Sequence, residues 1–420
     1  MKIRGKRDVV VTGIGILSPI GLDVSELLQS VRSNASGIRL WESPELDTKL
    51  PGGVIQRDFS TEFTKLEQPY LERCSHMALI AARQAAADAG LDQFSAYGPR
   101  AGLYYGTVGG SVKAEHDWVE QFYVHHKQIA KPFTIVASMM NAAPAHISIR
   151  HQILGPVMTY SSACTSSGGA IGDAYRAIRD GYIDIAIAGG AEACFLPTFV
   201  SMWSGLRALA EPDPDDVSRS CKPFSSKRSG LVLGEGAVFV VVESRDNAES
   251  RDAEAYCRLS GYGIASDGYH IASPTPEGQI ATMRGALEDA ELQAADIGYV
   301  NAHATATSNG DPIEVTALKA VFNGVPVSST KAIHGHLLGA ASAIELAVTI
   351  LAVNQSLLPA TAHLDEVDPA CALNHVANTP VLNHTLAHAM SFSSGFGGTN
   401  VALIISDEHK LRKKSKFRSP

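Results

Sequence analysis

The chain has 420 residues, 45% hydrophobic and 19% charged, a make-up that excludes a disordered polymer and suits a globular enzyme with one large or two smaller cores. Its 35 Lys and Arg against 43 Asp and Glu give a net charge of −8, so nothing global draws it to nucleic acid or anionic lipid. No run is long and apolar enough to predict a membrane span.

The basic start at Met1 meets Gly and Ser after a short apolar stretch, which does not read as a signal peptide. The six cysteines are scattered with no CxxC pair, which points to a reduced, cytoplasmic protein. Asp8 to Ser18 predicts a buried strand closed by glycines. Its text Thr12-Gly-Ile-Gly-Ile-Leu-Ser18 is echoed by Ser260-Gly-Tyr-Gly-Ile-Ala-Ser266. The helical stretch Ala82 to Gly90 has a partner in Met283 to Glu291, with Asp-Ala at the same place. Ser161-Ser-Ala-Cys164, followed by a small-residue helix, corresponds to Ser328-Ser-Thr-Lys331, followed by Gly339 to Glu345. Three matches in one order predict two related halves divided near residues 250–258, and the alternation of strands with helices in each implies a layered α/β architecture with mostly parallel sheets. The predicted organisation is 1–255, 256–409 and a basic tail, 410–420. Residues 192–230, with no partner in the second half, are expected to form a capping insertion.

Cys164 falls where an apolar strand gives way to a helix. There the helix N-terminus favours a thiolate, although a buried inert cysteine fits the same segment. His303 follows the strand Ile297 to Val300. The segment from Ser328 to His336 places Lys331 and a second histidine on the duplicated equivalent of the Cys164 turn, which pseudo-symmetry brings to the same cleft. One cysteine and two histidines lack the spacing of a zinc site, and His384 and His388 lack the glutamate of a zinc-protease helix, so no metal is expected. Gly13 and Gly15 lack the third glycine of a dinucleotide fingerprint, so no nicotinamide cofactor is expected. The glycine-dense turn Met390 to Asn400 can bring backbone N–H groups to an oxyanion or can be a plain tight turn.

Together with Gly189-Gly-Ala-Glu192, Lys222-Pro-Phe and Gly234-Glu-Gly, these segments resemble the β-ketoacyl-acyl carrier protein synthases of the elongating type I/II branch over nearly the whole chain. The resemblance implies an α/β, thiolase-like fold: two duplicated halves, each with a mixed β-sheet, layered α-β-α-β-α, with the cap in the first half. It implies decarboxylative condensation of a Cys164-bound acyl chain with malonyl carrier, in fatty acid or polyene- and polyketide-like synthesis. His303 and His336 would assist decarboxylation, and Lys331 with Glu345 would organise the site. Asp311 and Glu314 would support it, and the N–H groups of Cys164 and Phe396 would form the oxyanion hole. Thr305, Thr307 and Ser273 would bind phosphopantetheine, while Val108, Trp203 and Phe396 would border the acyl pocket, with Phe396 as its gate. No resident cofactor is implied, because the pantetheine arrives on acyl carrier protein. The partner would be a second copy or a chain-length-factor homologue. The chain departs from the family's usual text at Ala304-Thr-Ala306-Thr and Ala272-Ser-Pro. A thiolase would need a second cysteine where Phe396 stands, and a decarboxylase-only or chain-length-factor protein would lack Cys164.

Overall fold

The computed structural model describes residues 6–110 and 112–408, so the basic tail lies outside the described residues. Ten strands form the main sheet. The first half supplies β1 (Val9–Leu17), β2 (Ala101–Gly106), β3 (Val157–Tyr160), β4 (Ile185–Glu192) and β5 (Gly236–Ser244). The second supplies β6 (Cys257–Ser266), β7 (Tyr299–Asn301), β8 (Val327–Ser328), β9 (His388–Ser394) and β10 (Thr399–Ser406). Both halves order their strands third, second, fourth, fifth, first, and they meet where β1 pairs antiparallel with β6, Val9 opposite Leu259. The sheets are mixed, as the resemblance implies, rather than mostly parallel as the alternation of strands and helices alone suggests. In each half the second strand runs parallel to its two neighbours, while the fourth and the first each run antiparallel to the fifth between them. A short turn returns β9 directly into β10, which forces the antiparallel pairing there.

Five helices complete the layers: α1 (Arg73–Asp88), α2 (Ser166–Arg179), α3 (Pro276–Ala290), α4 (Gly310–Val321) and α5 (Ala341–Asn354). The helices α2 and α5 pack on each other and on strands from both halves, which makes them the middle layer; α5 is buried on every side except at its last residue. The outer helix α1 lies on β1, and α3 lies on β6.

The repeated glycines have a packing cause. A Cβ at Gly13 or Gly15 would overlap the carbonyls of Ala85 and Ala81 on α1, and one at Gly261 or Gly263 would overlap those of Ala286 and Thr282 on α3. Only a residue without a side chain lets helix and strand approach so closely. The aspartates repeat for a matching reason. Asp88 accepts a hydrogen bond from the Ile14 N–H at 2.9 Å, and Asp289 accepts one from the Tyr262 N–H at 3.1 Å, each residue lying between two of these glycines.

The insertion after β4 carries a helix, Pro197–Gly205, that places Trp203 over the site. A small sheet of Ile38–Ser43, Leu46–Gly53 and Leu233–Gly234 extends this cap, a contribution not foreseen from the sequence.

Candidate active site

The chain leaves β3, passes Ala163 in a left-handed conformation (φ 53°) and presents Cys164 two residues before α2 begins. Ser166 stabilises the bend, its hydroxyl donating to the Ala163 carbonyl at 2.6 Å and accepting from the Ser162 N–H at 2.9 Å. Across the pseudo-symmetric junction Lys331 follows β8, but nine residues separate it from α5, and His336 sits on that excursion. Ser342 donates to the Cys164 carbonyl at 3.0 Å, and Ala343 N–H donates to the Ser167 hydroxyl at 3.0 Å. These bonds tie the two turns together.

The structure brings Cys164, His303, Lys331 and His336 into one buried cluster. His336 Nε2 is 2.8 Å from Cys164 Sγ, and the two imidazoles meet edge to face with centroids 5.3 Å apart. Lys331 Nζ lies 3.2 Å from His303 Nδ1 and is also bonded to Glu345, whose other oxygen accepts from Ser393 at 3.3 Å. Glu314, at the start of α4, accepts the consecutive N–H groups of His303 and Ala304, both at 2.7 Å, and so fixes the backbone that carries the first histidine. Asp311 accepts from Phe224 N–H at 2.8 Å and pins the Lys222-Pro-Phe turn behind the site.

Burial dominates the electrostatics. It pushes the Cys164 thiol up to about 12, against the pull of the Lys331 ammonium and the backbone N–H groups of Phe396 and Cys164 itself. The thiolate expected from the helix terminus is therefore not the resting form, because desolvation outweighs the dipole. Burial and the Lys331 charge hold His303 and His336 well below the usual imidazole range, so both rings are neutral. With Lys331 donating to Nδ1 of His303, that ring carries its proton on Nε2. Burial raises Glu345 to about 7, opposed by Lys331, and Glu314 to about 8, opposed by the two N–H groups it accepts.

The donor atoms of Cys164, His303 and His336 lie within 4.8 Å of one another, a spacing a cation could bridge. The Lys331 ammonium beside His303 sets a positive charge against that use and favours proton handling.

A cavity of about 300 Å³ opens onto Cys164, His303 and His336. Thr305, Thr307 and Ser273 line one side, with Trp203 and Phe396 on another. The two aromatic rings stack with centroids 5.9 Å apart and planes inclined by 22°. Val108 does not line this cavity; it packs in the adjoining apolar cluster with Trp203, Phe195 and Leu338. A wider groove of about 1210 Å³, between Phe195 and the helix Val112–Tyr123, contains none of the four clustered residues, so size alone does not mark the site.

Sequence reasoning did not assign Ser342 or Ser393, whose hydroxyls reach the site only through tertiary contacts. It also left Glu192 as motif text without a task.

Comparison with known proteins identifies the family. The family profile described as "Beta-ketoacyl synthase, N-terminal domain" matches residues 6–248, and "Beta-ketoacyl synthase, C-terminal domain" matches residues 256–365. A "3-oxoacyl-[acyl-carrier-protein] synthase 2" of Coxiella burnetii is 34% identical over 418 residues, covering 96% of this chain and 99% of that protein. Its namesake in Staphylococcus aureus is 35% identical over 415 residues, covering 94% and 97%. Among solved structures, "The ishigamide ketosynthase/chain length factor" superposes with a TM-score of 0.88 at 29% identity, covering 96% of this chain and 99% of that one. A type II polyketide ketosynthase, solved with its acyl-carrier protein and "bound to the hexaketide", has a TM-score of 0.86 at 25% identity, again covering 96% and 99%. With both profiles matched in order around the Cys164 and His303 turns, the chain belongs to the β-ketoacyl synthase family.

Proposed function

We propose that this protein is a β-ketoacyl-acyl carrier protein synthase that lengthens an acyl chain by two carbons, using Cys164 to hold the chain and His303 with His336 to generate the attacking carbanion. The observation that carries this reading is the 2.8 Å contact between Cys164 Sγ and His336 Nε2, with a lysine-oriented His303 beside it.

In the first half-reaction His336 takes the thiol proton as Cys164 Sγ attacks the acyl thioester. A carbon–sulfur bond to Cys164 forms, the bond to the carrier's sulfur breaks, and the proton passes to the departing thiolate. The N–H groups of Cys164 and Phe396 receive the oxyanion. In the second, malonyl carrier occupies the same cavity with its pantetheine along Thr305, Thr307 and Ser273. Its carbon–carboxylate bond breaks and carbon dioxide leaves. The electron pair stays on the α-carbon as an enolate, which the Nε2–H groups of the two neutral imidazoles stabilise. No protein group among the described residues pins His336 Nδ1, so its Nε2 can accept from the free thiol and donate once that thiol is esterified. The carbanion then attacks the Cys164 thioester, forming the new carbon–carbon bond; the carbon–sulfur bond to Cys164 breaks, and the departing thiolate takes a proton from His336, which regains it from solvent. Such a step needs donors for developing charge rather than a strong base.

The pantetheine arrives on the carrier, so no resident cofactor is required, and the reading places the enzyme in the cytoplasm. No helix among the described residues is long and apolar enough to cross a membrane. The edge strand β3 exposes Val157 and Met158, and the neighbouring segment exposes Ile129, Ile135 and Met139. An uncovered sheet edge beside an apolar face calls for a partner. We assign that partner as a second copy, or a chain-length-factor homologue in a specialised pathway, the reading favoured by the ishigamide ketosynthase resemblance.

The test is mass spectrometry of product carriers formed from malonyl carrier and a panel of acyl carriers. A product longer by two carbons from the protein alone supports the homodimer, and a product only after a chain-length-factor homologue is added supports the second arrangement. A product of unchanged chain length in both cases overturns the proposal.

A further inference from the structure

Glu192 closes β4, is 1% exposed, and has no cation within bonding reach among the described residues. Its carboxylate instead gathers donors from two separate parts of the chain. One oxygen accepts from Val108 N–H at 2.8 Å and from Gly339 N–H at 3.1 Å; the other accepts from Gly109 N–H at 3.0 Å, with the Thr107 hydroxyl at 3.5 Å. The Thr107–Gly110 loop belongs to the first half and borders the apolar cluster shared by Val108 and Trp203. Gly339 belongs to the second half, three residues after His336. The two backbones touch, since a Cβ at Gly339 would lie 2.6 Å from Thr107 Cα. Burial raises the Glu192 carboxyl to about 7, against the pull of these donors.

Glu314 does comparable work for the opposite half, where it holds the two consecutive N–H groups of His303 and Ala304. Glu192 differs in joining the halves: it fastens the loop beside the apolar cluster of Trp203 and Val108 to the turn that carries His336.

Building on the condensing function above, we propose that Glu192 is a positioning residue that makes the Thr107–Gly110 loop and the His336 turn move as one unit, so that acyl-chain fit and the Cys164–His336 contact are set together. All its bonds come from donors, and the carboxylate accepts at both oxygens. A glutamine would turn an NH₂ donor towards N–H groups and open one side of the clamp.

Glu192→Gln is compared with wild type in acyl transfer to Cys164 across primers of increasing length, and in the rate of Cys164 alkylation by iodoacetamide. The expected result is a kcat/KM for transfer lower by roughly tenfold, a changed order of preference among primers, and an altered alkylation rate. Glu243→Gln serves as the control for mere destabilisation, since Glu243 is equally buried but bonds Arg251, Asn247 and Thr12 away from the cavity. It should lower stability and leave primer preference and alkylation unchanged. An unchanged profile in Glu192→Gln, or the same altered profile in Glu243→Gln, overturns the proposal. If Glu192→Gln does not fold, hydrogen exchange on wild type decides. Acyl loading of Cys164 should change the protection of Val108, Gly109 and Gly339 together, and a change confined to one segment overturns the clamp. Failure of wild type to load or condense would count instead against the function on which the clamp rests.

Discussion

In the first half the chain leaves β3, bends through Ala163 and enters α2 two residues after Cys164; in the second it leaves β8, shows Lys331, and wanders through His334 and His336 before α5 begins. The direct turn places the thiol at the head of a buried helix, where it can hold a covalent chain. The extended turn spends its extra residues on a cation and a histidine that face the thiol from the other half. Under the proposed function the duplicated frame serves as acyl holder on one side and carbanion generator on the other, with bonds of Glu345, Ser342 and Glu192 linking the elements around them.

Breaking the second turn should have the largest effect. Lys331→Met leaves Glu345 buried with Ser393 alone and removes the donor to His303 Nδ1, with an expected stability loss of about 3–5 kcal/mol by denaturant unfolding. The double variant Lys331→Met, Glu345→Gln should recover part of that loss, since no charge is then stranded. Additive losses would mean that the pair is not coupled.

Acidification separates the turns with a smaller effect. Because burial and Lys331 depress both histidines, their neutral form persists as pH falls through the unfolded value near 6.5 and is lost only at the lower folded values. The imidazole resonances of His303 and His336 in Cys164→Ala should therefore show no NMR titration from pH 8 to pH 6, a range in which Glu345 and Glu314, raised to about 7 and about 8, change charge in the site. An imidazole midpoint near 6.5 would show ordinary, solvated rings. The smallest change is expected at the cap. Trp203→Ala removes a stack worth about 0.5–1.5 kcal/mol and should alter transfer rates a few-fold, most for primers that must displace Phe396. Equal rates for every primer would remove Trp203 from the gate.

Much of this division was legible in the sequence because the duplication leaves paired signatures. Gly13 with Gly15 and Gly261 with Gly263 are repeated since each pair meets a helix backbone, and Asp88 and Asp289 are repeated since each caps the strand N–H between those glycines. Cys164 and Lys331 could be matched because the serine turns before them are alike. Three features were not legible. Strand direction depends on how short the β9–β10 return is in space, which residue alternation does not report. The protonation of Cys164 depends on burial under the cap, which outweighs the helix terminus. Glu192 binds backbone N–H groups, and backbone donors leave no side-chain text to match.

The central claim is that Cys164 and His303 serve separable half-reactions, and it is tested most directly by following malonyl and acyl carriers by mass spectrometry in Cys164→Ala and His303→Ala side by side. The account predicts that Cys164→Ala releases carbon dioxide and accumulates acetyl carrier without condensing, while His303→Ala becomes acylated at Cys164 but leaves malonyl carrier intact. Decarboxylation lost in Cys164→Ala together with acylation lost in His303→Ala would contradict it.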